Sequence, residues 1–414
     1  MIRQIAKANA ILLLQYAAAA LVPLLLVPHI VRSIGVAVYG ELAVALAWAG
    51  FGGLVTQYAF PLTGSQRLAA GADPAQVLVQ AVATKALLLV AVLPPLALVG
   101  LLHAPAGAAG SGTWLVLLAV PAGAALNAAW FLQYHGRFLG VALTSIVGTC
   151  GALLLGGWGV GGAAPGDVLA AAAALSFGGL YVGAATLIAA LRLAGVHRPT
   201  SGSPRVLQAL REDWPLFASQ LVSALYTVSG PIVVDQIAGA HAAGRYSAVE
   251  RVISALAAAC QLTYVAAWPR LAGCFAADRP AYSHLLKQVM ATYVAGTTLI
   301  ALAVWLGRDP LFAFLFGSAA AEVRPGALLA WGLAWLVAGI AGPALTGYLT
   351  LSGRKAQVMT LNLGVLATCA LLGIPSVLAF GPAGWMAALV GSQLVVLAAA
   401  IYHWRRRDGP GERV

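Results

Sequence analysis

Charge is scarce in this chain: Lys, Arg, Asp and Glu together make up 8% of its residues. A soluble domain needs polar surface to cover its core, so that scarcity excludes an ordinary soluble fold. Acid is scarcer than base, with 12 Asp and Glu against 23 Lys and Arg, for a net charge of +11. The four cysteines, Cys150, Cys260, Cys274 and Cys369, lack metal-ligand spacing and lie in or near apolar stretches. They read as small buried hydrophobes. No Gly-rich phosphate loop and no paired carboxylates in a large loop are present, and the seven histidines are scattered. These absences argue against an enzyme and against a bound metal or cofactor. The basic residues are strung along loops rather than clustered with stacking aromatics, which excludes nucleic acid as a partner. Anionic membrane lipid is the simpler partner for such loops. A cleavable signal is also missing, because the apolar stretch behind Met1–Lys7 is too long and has no clear small-residue cleavage site.

What the chain has is apolar length. It is 61% hydrophobic, and its mean hydropathy is +0.90. A helix needs about 20 apolar residues to cross hydrocarbon, which predicts about 12 spans, near 10–30, 38–62, 77–102, 112–134, 139–161, 167–191, 214–237, 246–269, 286–306, 326–350, 357–380 and 383–404. With these spans, 17 of the 23 basic residues fall on the side that holds both termini, and four, Arg32, Arg245, Arg308 and Arg324, fall opposite. Positive charge resists translocation, so the basic side is expected to be cytoplasmic. The most informative connection runs Arg192–Asp213, with Pro199, Gly202, Ser203, Pro204 and four arginines. It predicts an N-terminal six-helix bundle at 1–192, a cytoplasmic linker at 193–213 and a C-terminal six-helix bundle at 214–414.

The two halves share landmarks. Pro28, Val38-Tyr39-Gly40 and Arg67-Leu68-Ala69 in the first answer to Pro231, Gly244-Arg245-Tyr246 and Arg270-Leu271-Ala272 in the second. Six spans per half is an even number, so both copies cross the membrane in the same direction. This is a parallel repeat, as in several transporter folds. Prolines inside spans, among them Pro94, Pro95, Pro121, Pro343 and Pro375, predict kinked or broken helices.

The charges that topology does not explain mark candidate chemistry. Lys85 sits roughly 13 Å into the third span, at about nine residues and 1.5 Å per residue. An ionisable group there is costly and faces protein, water or a cavity, or snorkels towards the interface. Glu250 and Arg251 lie inside the eighth span. Adjacent helical side chains point about 100° apart, so they are not expected to form a good pair with each other. Asp235 is then a partner for Arg251 or Arg245. Arg32 and Glu41 read as interfacial anchors or as part of the path. Arg67 and Arg270 end matching spans at the basic face, where they act as topology determinants or as a cytoplasmic gate that first meets an anionic head group. The outer connections, Ala104–Ser111 and Gly307–Pro325, are short for a membrane glycosyltransferase or polymerase.

Pro28-His29-Ile30-Val31-Arg32-Ser33-Ile34-Gly35 and Val38-Tyr39-Gly40 resemble the opening of the polysaccharide-type flippases. The second half adds Trp214-Pro215-Leu216-Phe217, Gly244-Arg245-Tyr246-Ser247-Ala248-Val249-Glu250-Arg251 and Trp268-Pro269-Arg270-Leu271-Ala272. Trp268 stands where the family tends to carry tyrosine, and Gln57-Tyr58-Ala59-Phe60 replaces a glycine-containing version of the first-half motif. The resemblance implies the fold of the multidrug/oligosaccharidyl-lipid/polysaccharide exporter superfamily, an all-α integral membrane protein with two six-helix bundles around a central cavity. It also implies translocation of an undecaprenyl-diphosphate-linked oligosaccharide from the cytoplasmic to the periplasmic leaflet of a bacterial inner membrane, in O-antigen, capsule or exopolysaccharide assembly. The partners it implies are that lipid-linked substrate, membrane lipids, a polysaccharide polymerase and a chain-length regulator. Lys85, Arg251, Arg32 and Arg245 are then the expected contacts to the diphosphate, with Glu250 or Asp235 as an ion-coupling group. Two other readings stay open: a drug or cation antiporter of the same superfamily, and a membrane-embedded polymerase or ligase.

Overall fold

Hydrocarbon offers no water to the backbone, so long apolar segments satisfy their own hydrogen bonds by folding as helices. The computed structural model describes residues 22–103, 114, 116–161, 165–195, 205–352 and 354–407. Among them every regular element is helical. Among the described residues, nine helices or broken helices are long and apolar enough, by length and composition, to cross a membrane. Large apolar side chains lie on their outer surfaces: Val90, Leu98, Leu101 and Leu102 are between 56% and 72% exposed. Such a surface suits lipid and not water, and the chain is a multi-pass membrane protein. Packing divides it into two units, Met1–Ala224 and Leu225–Val414.

In the first unit, a π-helical turn, Val22–Leu26, leads into α1 (Val27–Ile34). The rest of the first expected span lies outside the described residues. The second span is broken into α2 (Val36–Gln57) and α3 (Phe60–Ala69) at Tyr58, which has φ 52°. The third is α4 (Pro74–His103), and the fourth is broken into α5 (Ala119–Leu126) and α6 (Ala129–Tyr134). The fifth and sixth are α7 (Phe138–Gly159) and α8 (Pro165–Ala194). Glycine lets α5 and α8 approach closely: a Cβ on Gly123 would stand 2.7 Å from the Gly179 carbonyl carbon.

The next helix, α9 (Val206–Thr227), begins eight residues before the expected start of the seventh span. Arg211, Glu212 and Asp213, read from sequence as linker, are therefore helical, while 196–204 of that linker lie outside the described residues. The reason is amphipathic spacing: Ala209, Asp213 and Phe217 recur every four residues and are buried along one face.

In the second unit the seventh span resumes as α10 (Gly230–Ala238), followed by α11 (Ala240–Ala277) and α12 (Arg279–Leu306). Asp278 caps α12, its carboxylate accepting the Ala281 N–H at 3.1 Å, with Pro280 in the first turn. The connection that follows α12 folds into short helices α13 (Arg308–Phe316) and α14 (Ala320–Val323). The tenth span is broken into α15 (Gly326–Ala338) and α16 (Ala341–Leu351), and α17 (Lys355–Phe380) and α18 (Pro382–Arg407) complete the unit.

The repeat has a backbone counterpart. Gly35 joins α1 to α2 at φ 83°, ψ 162°, and Gly239 joins α10 to α11 at φ 84°, ψ 170°. Each glycine closes a short helix that has proline in its first turn, donating its N–H to Val31 or Asp235. Each carbonyl then opens the next helix by accepting from Tyr39 or Ala243. That conformation is essentially restricted to glycine, so each half carries the same turn at the same place.

Candidate functional site

A broken helix leaves backbone groups to be satisfied, and at the α5–α6 break side chains satisfy three of them. Asn127 leaves the helix with ψ 112°. Its carboxamide oxygen accepts the Ala129 N–H at 2.9 Å, and Thr186 Oγ1 of α8 accepts the Ala128 N–H at 3.1 Å. The Asn127 carbonyl accepts from Lys85 Nζ at 2.7 Å. Lys85 is 2% exposed, and its ammonium meets the C-terminal end of α5, where the helix dipole favours a cation. Of the alternatives expected for Lys85, this contact is the protein-facing one, made to backbone.

At the Arg67 end of the same unit, one charge cluster ties three helices together. Arg67 of α3 reaches Asp213 at 3.0 Å and Glu212 at 3.2 Å, both on α9, and Gln80 of α4 at 3.4 Å. Thr63 donates to the other oxygen of Asp213 at 2.9 Å. Gln80 also donates to the Arg205 carbonyl at 3.1 Å. Beside the cluster, the Tyr58 hydroxyl donates to the Leu210 carbonyl at 2.7 Å, and its ring stacks on Phe217 at 4.4 Å. The Asp213 side chain is 6% exposed, so its charge depends on this arginine. Arg270, the second-half counterpart of Arg67, is exposed and has no ion-pair partner among the described residues.

The charges of α11 are arranged differently from expectation. Arg251 Nε lies 3.7 Å from Glu250 Oε2, so the neighbours do approach each other. Both chains are long enough to curl across the 100° between them, but the separation exceeds hydrogen-bond length and the contact is loose. Ser254 donates to the other Glu250 oxygen. Arg245 turns to the C-terminus of α14, donating to the Val323 carbonyl at 3.2 Å and the Arg324 carbonyl at 3.5 Å, rather than to Asp235. Asp235, Arg32 and Glu41 each have an interaction partner, and Arg32 is exposed. No three His, Cys, Asp or Glu residues come together as a metal site among the described residues.

Lys85 and Arg245 are each bound to backbone carbonyls, Arg67 is in an ion-pair network, Arg251 approaches Glu250, and Arg32 has an interaction partner of its own. Sequence reading missed Asp213, Thr63, Gln80, Asn127 and Thr186. Asp213 carried the one available signal, an acid four residues from Ala209 and Phe217 on an amphipathic face.

A model of the family described as polysaccharide biosynthesis protein matches residues 5–273. No curated protein sequence matches the chain. Among solved structures, an inward-facing multidrug resistance MATE family transporter of the MOP superfamily superposes with TM-score 0.67 at 15% identity, covering 95% of this chain and 94% of that one. The lipid II flippase MurJ, in an inward closed conformation, gives 0.69 at 12% identity, with 97% and 87% covered. A point mutant of the Vibrio cholerae MATE transporter VcmN gives 0.63 at 18% identity, with 99% and 97% covered. At these identities the likeness shows a shared fold.

Proposed function

The chain belongs to the polysaccharide biosynthesis protein family, and from that premise we propose that it is a flippase for an undecaprenyl-diphosphate-linked oligosaccharide. The family match over residues 5–273 carries the reading. The proposed setting is a bacterial inner membrane with both termini cytoplasmic, where 17 of the 23 basic residues would face the cytoplasm. The glycan and diphosphate cannot cross hydrocarbon unaided, so the protein supplies a polar path by alternating access while the isoprenoid tail stays in lipid. A downstream polymerase with its chain-length regulator would consume the product in O-antigen, capsule or exopolysaccharide assembly. Arg251 and Arg32 are the proposed diphosphate contacts, since guanidinium matches phosphate oxygens in bidentate geometry and neither residue is buried. Arg67 with Asp213 is proposed as a cytoplasmic gate.

The fold is equally that of drug antiporters, and the state of the acids favours the flippase reading. A cation exchanger needs a carboxylate available in its path. Here Glu41, Asp213, Asp235 and Glu250 are all engaged with other groups, Asp213 with Arg67 and Glu250 with Arg251 and Ser254. Deleting the gene and locating the lipid-linked repeat unit tests the proposal. Single repeat units held on the cytoplasmic leaflet are expected. Their accumulation on the periplasmic leaflet would instead make the protein a polymerase or ligase.

A further inference from the structure

Near the Arg270 end of the second unit, α11 and α16 part around an open cleft of about 390 Å³. Its size falls in the ~300–1,000 Å³ range of small-molecule sites. Gln261, Tyr264 and Trp268 share one face of α11, three or four residues apart, and Thr346, Gly347 and Thr350 share the facing side of α16. None of the lining residues is charged.

We propose that this cleft binds one uncharged pyranose ring of the glycan head group. The inference rests on the flippase reading and assigns the sugar a place apart from the diphosphate. The Tyr264 and Trp268 rings lie 5.8 Å apart, inclined at 40°, and form an aromatic wall for the apolar C–H face of a sugar. The Thr346 hydroxyl donates to the Gly342 carbonyl at 2.8 Å and the Thr350 hydroxyl to the Thr346 carbonyl at 2.7 Å. Their donors are occupied, so each hydroxyl offers lone pairs to sugar O–H groups. The Gln261 carboxamide, Tyr264 hydroxyl and Trp268 indole N–H have no hydrogen-bond partner among the described residues. Donors, acceptors and an aromatic face without any charge match a neutral sugar and do not match phosphate.

Gly347 packs against this aromatic wall: a Cβ there would meet the Tyr264 hydroxyl and stand 2.7 Å from Trp268 Cζ3, which fixes the position of both rings. The first unit has a similar contact between α3 and α6, where a Cβ on Gly64 would stand 2.6 Å from Trp130 Cζ3.

The test uses the full chain in lipid nanodiscs with methyl glycosides of glucose, galactose, N-acetylglucosamine and rhamnose, read by saturation-transfer NMR and titration. At least one glycoside is expected to receive saturation at its ring C–H protons, and inorganic pyrophosphate is expected not to displace it. Trp268→Ala should weaken that glycoside roughly tenfold, the scale of one aromatic face, while Trp268→Phe keeps most of the binding. Thr346→Val, nearly isosteric, should also weaken it, with thermal unfolding confirming that the variants are folded. No saturation of any glycoside, or unchanged affinity in folded Trp268→Ala and Thr346→Val, would overturn the proposal. Complementation separates the two levels. A wild-type gene that fails to restore outer-leaflet head groups in the deletion strain sinks the flippase reading. Full restoration by Trp268→Ala together with unchanged glycoside affinity removes the sugar site alone.

Discussion

Replacing Lys85 with methionine keeps much of the side-chain length and removes the ammonium, and the structure fixes what should follow. The Asn127 carbonyl, 2.7 Å from Nζ, loses its donor in an interior where water has little access. A hydrogen bond to a charged group contributes about 1.5–3 kcal/mol, and a cation at a helix C-terminus about 0.3–1 kcal/mol more. The hydrogen-bond figure is already net of desolvating the ammonium, and methionine regains about 1 kcal/mol as buried apolar surface. The Thr186 hydroxyl cannot take over, because its proton already goes to the Val182 carbonyl at 2.7 Å. The net effect expected is destabilisation of about 1–2 kcal/mol, close to tenfold in the unfolded fraction. Lys85→Ala should lose about 2–4 kcal/mol, since it also leaves a cavity. Thermal unfolding of purified protein measures the loss, and flipping per folded molecule in proteoliposomes should stay near the wild-type rate. A Lys85→Met protein that melts like the wild type but no longer flips substrate would refute this reasoning and make the ammonium a substrate contact.

Two further perturbations test other parts of the structure. Arg67→Ala strands a nearly buried Asp213 carboxylate and should cost about 3–5 kcal/mol. Adding Asp213→Asn to Arg67→Ala should recover part of that loss in the same unfolding assay, and a purely additive double mutant would refute the pairing. Gly35→Ala and Gly239→Ala each force a side chain into a glycine-only conformation, at about 1–3 kcal/mol. Similar losses are expected at the two positions, and a neutral result at one would show that the matched turns are not equivalent.

Length and apolarity made the span pattern legible, and most expected spans begin or end within a few residues of a helix. The breaks were only half legible. Proline was an unreliable marker: α4 continues through Pro94 and Pro95 and α17 through Pro375, while the breaks at Tyr58 and Asn127 lie at residues without that signature, the second held by Thr186 and Lys85. Charge sorting found the unusual groups without finding their partners. Lys85 satisfies a backbone carbonyl, which has no sequence signal. Arg245 reaches carbonyls about 80 residues away in α14. Asp213 looked like linker because the residues before it are rich in proline, glycine and arginine, yet its face of α9 is apolar and buried. The sugar cleft was invisible because tyrosine, tryptophan and threonine in a span ordinarily read as packing, and only the opening between α11 and α16 distinguishes them.

The central claim is that this chain moves a lipid-linked glycan between leaflets, and reconstitution tests it most directly. Purified protein would be placed in vesicles carrying undecaprenyl-diphosphate-linked oligosaccharide in both leaflets, and an impermeant glycosidase added outside. Without protein, cleavage should stop once the outer-leaflet pool, about half of the substrate, is exhausted. With protein, cleavage is predicted to proceed towards completion as inner-leaflet head groups reach the outer surface. A plateau at the protein-free level, with correctly folded chain in the vesicles, would contradict the account.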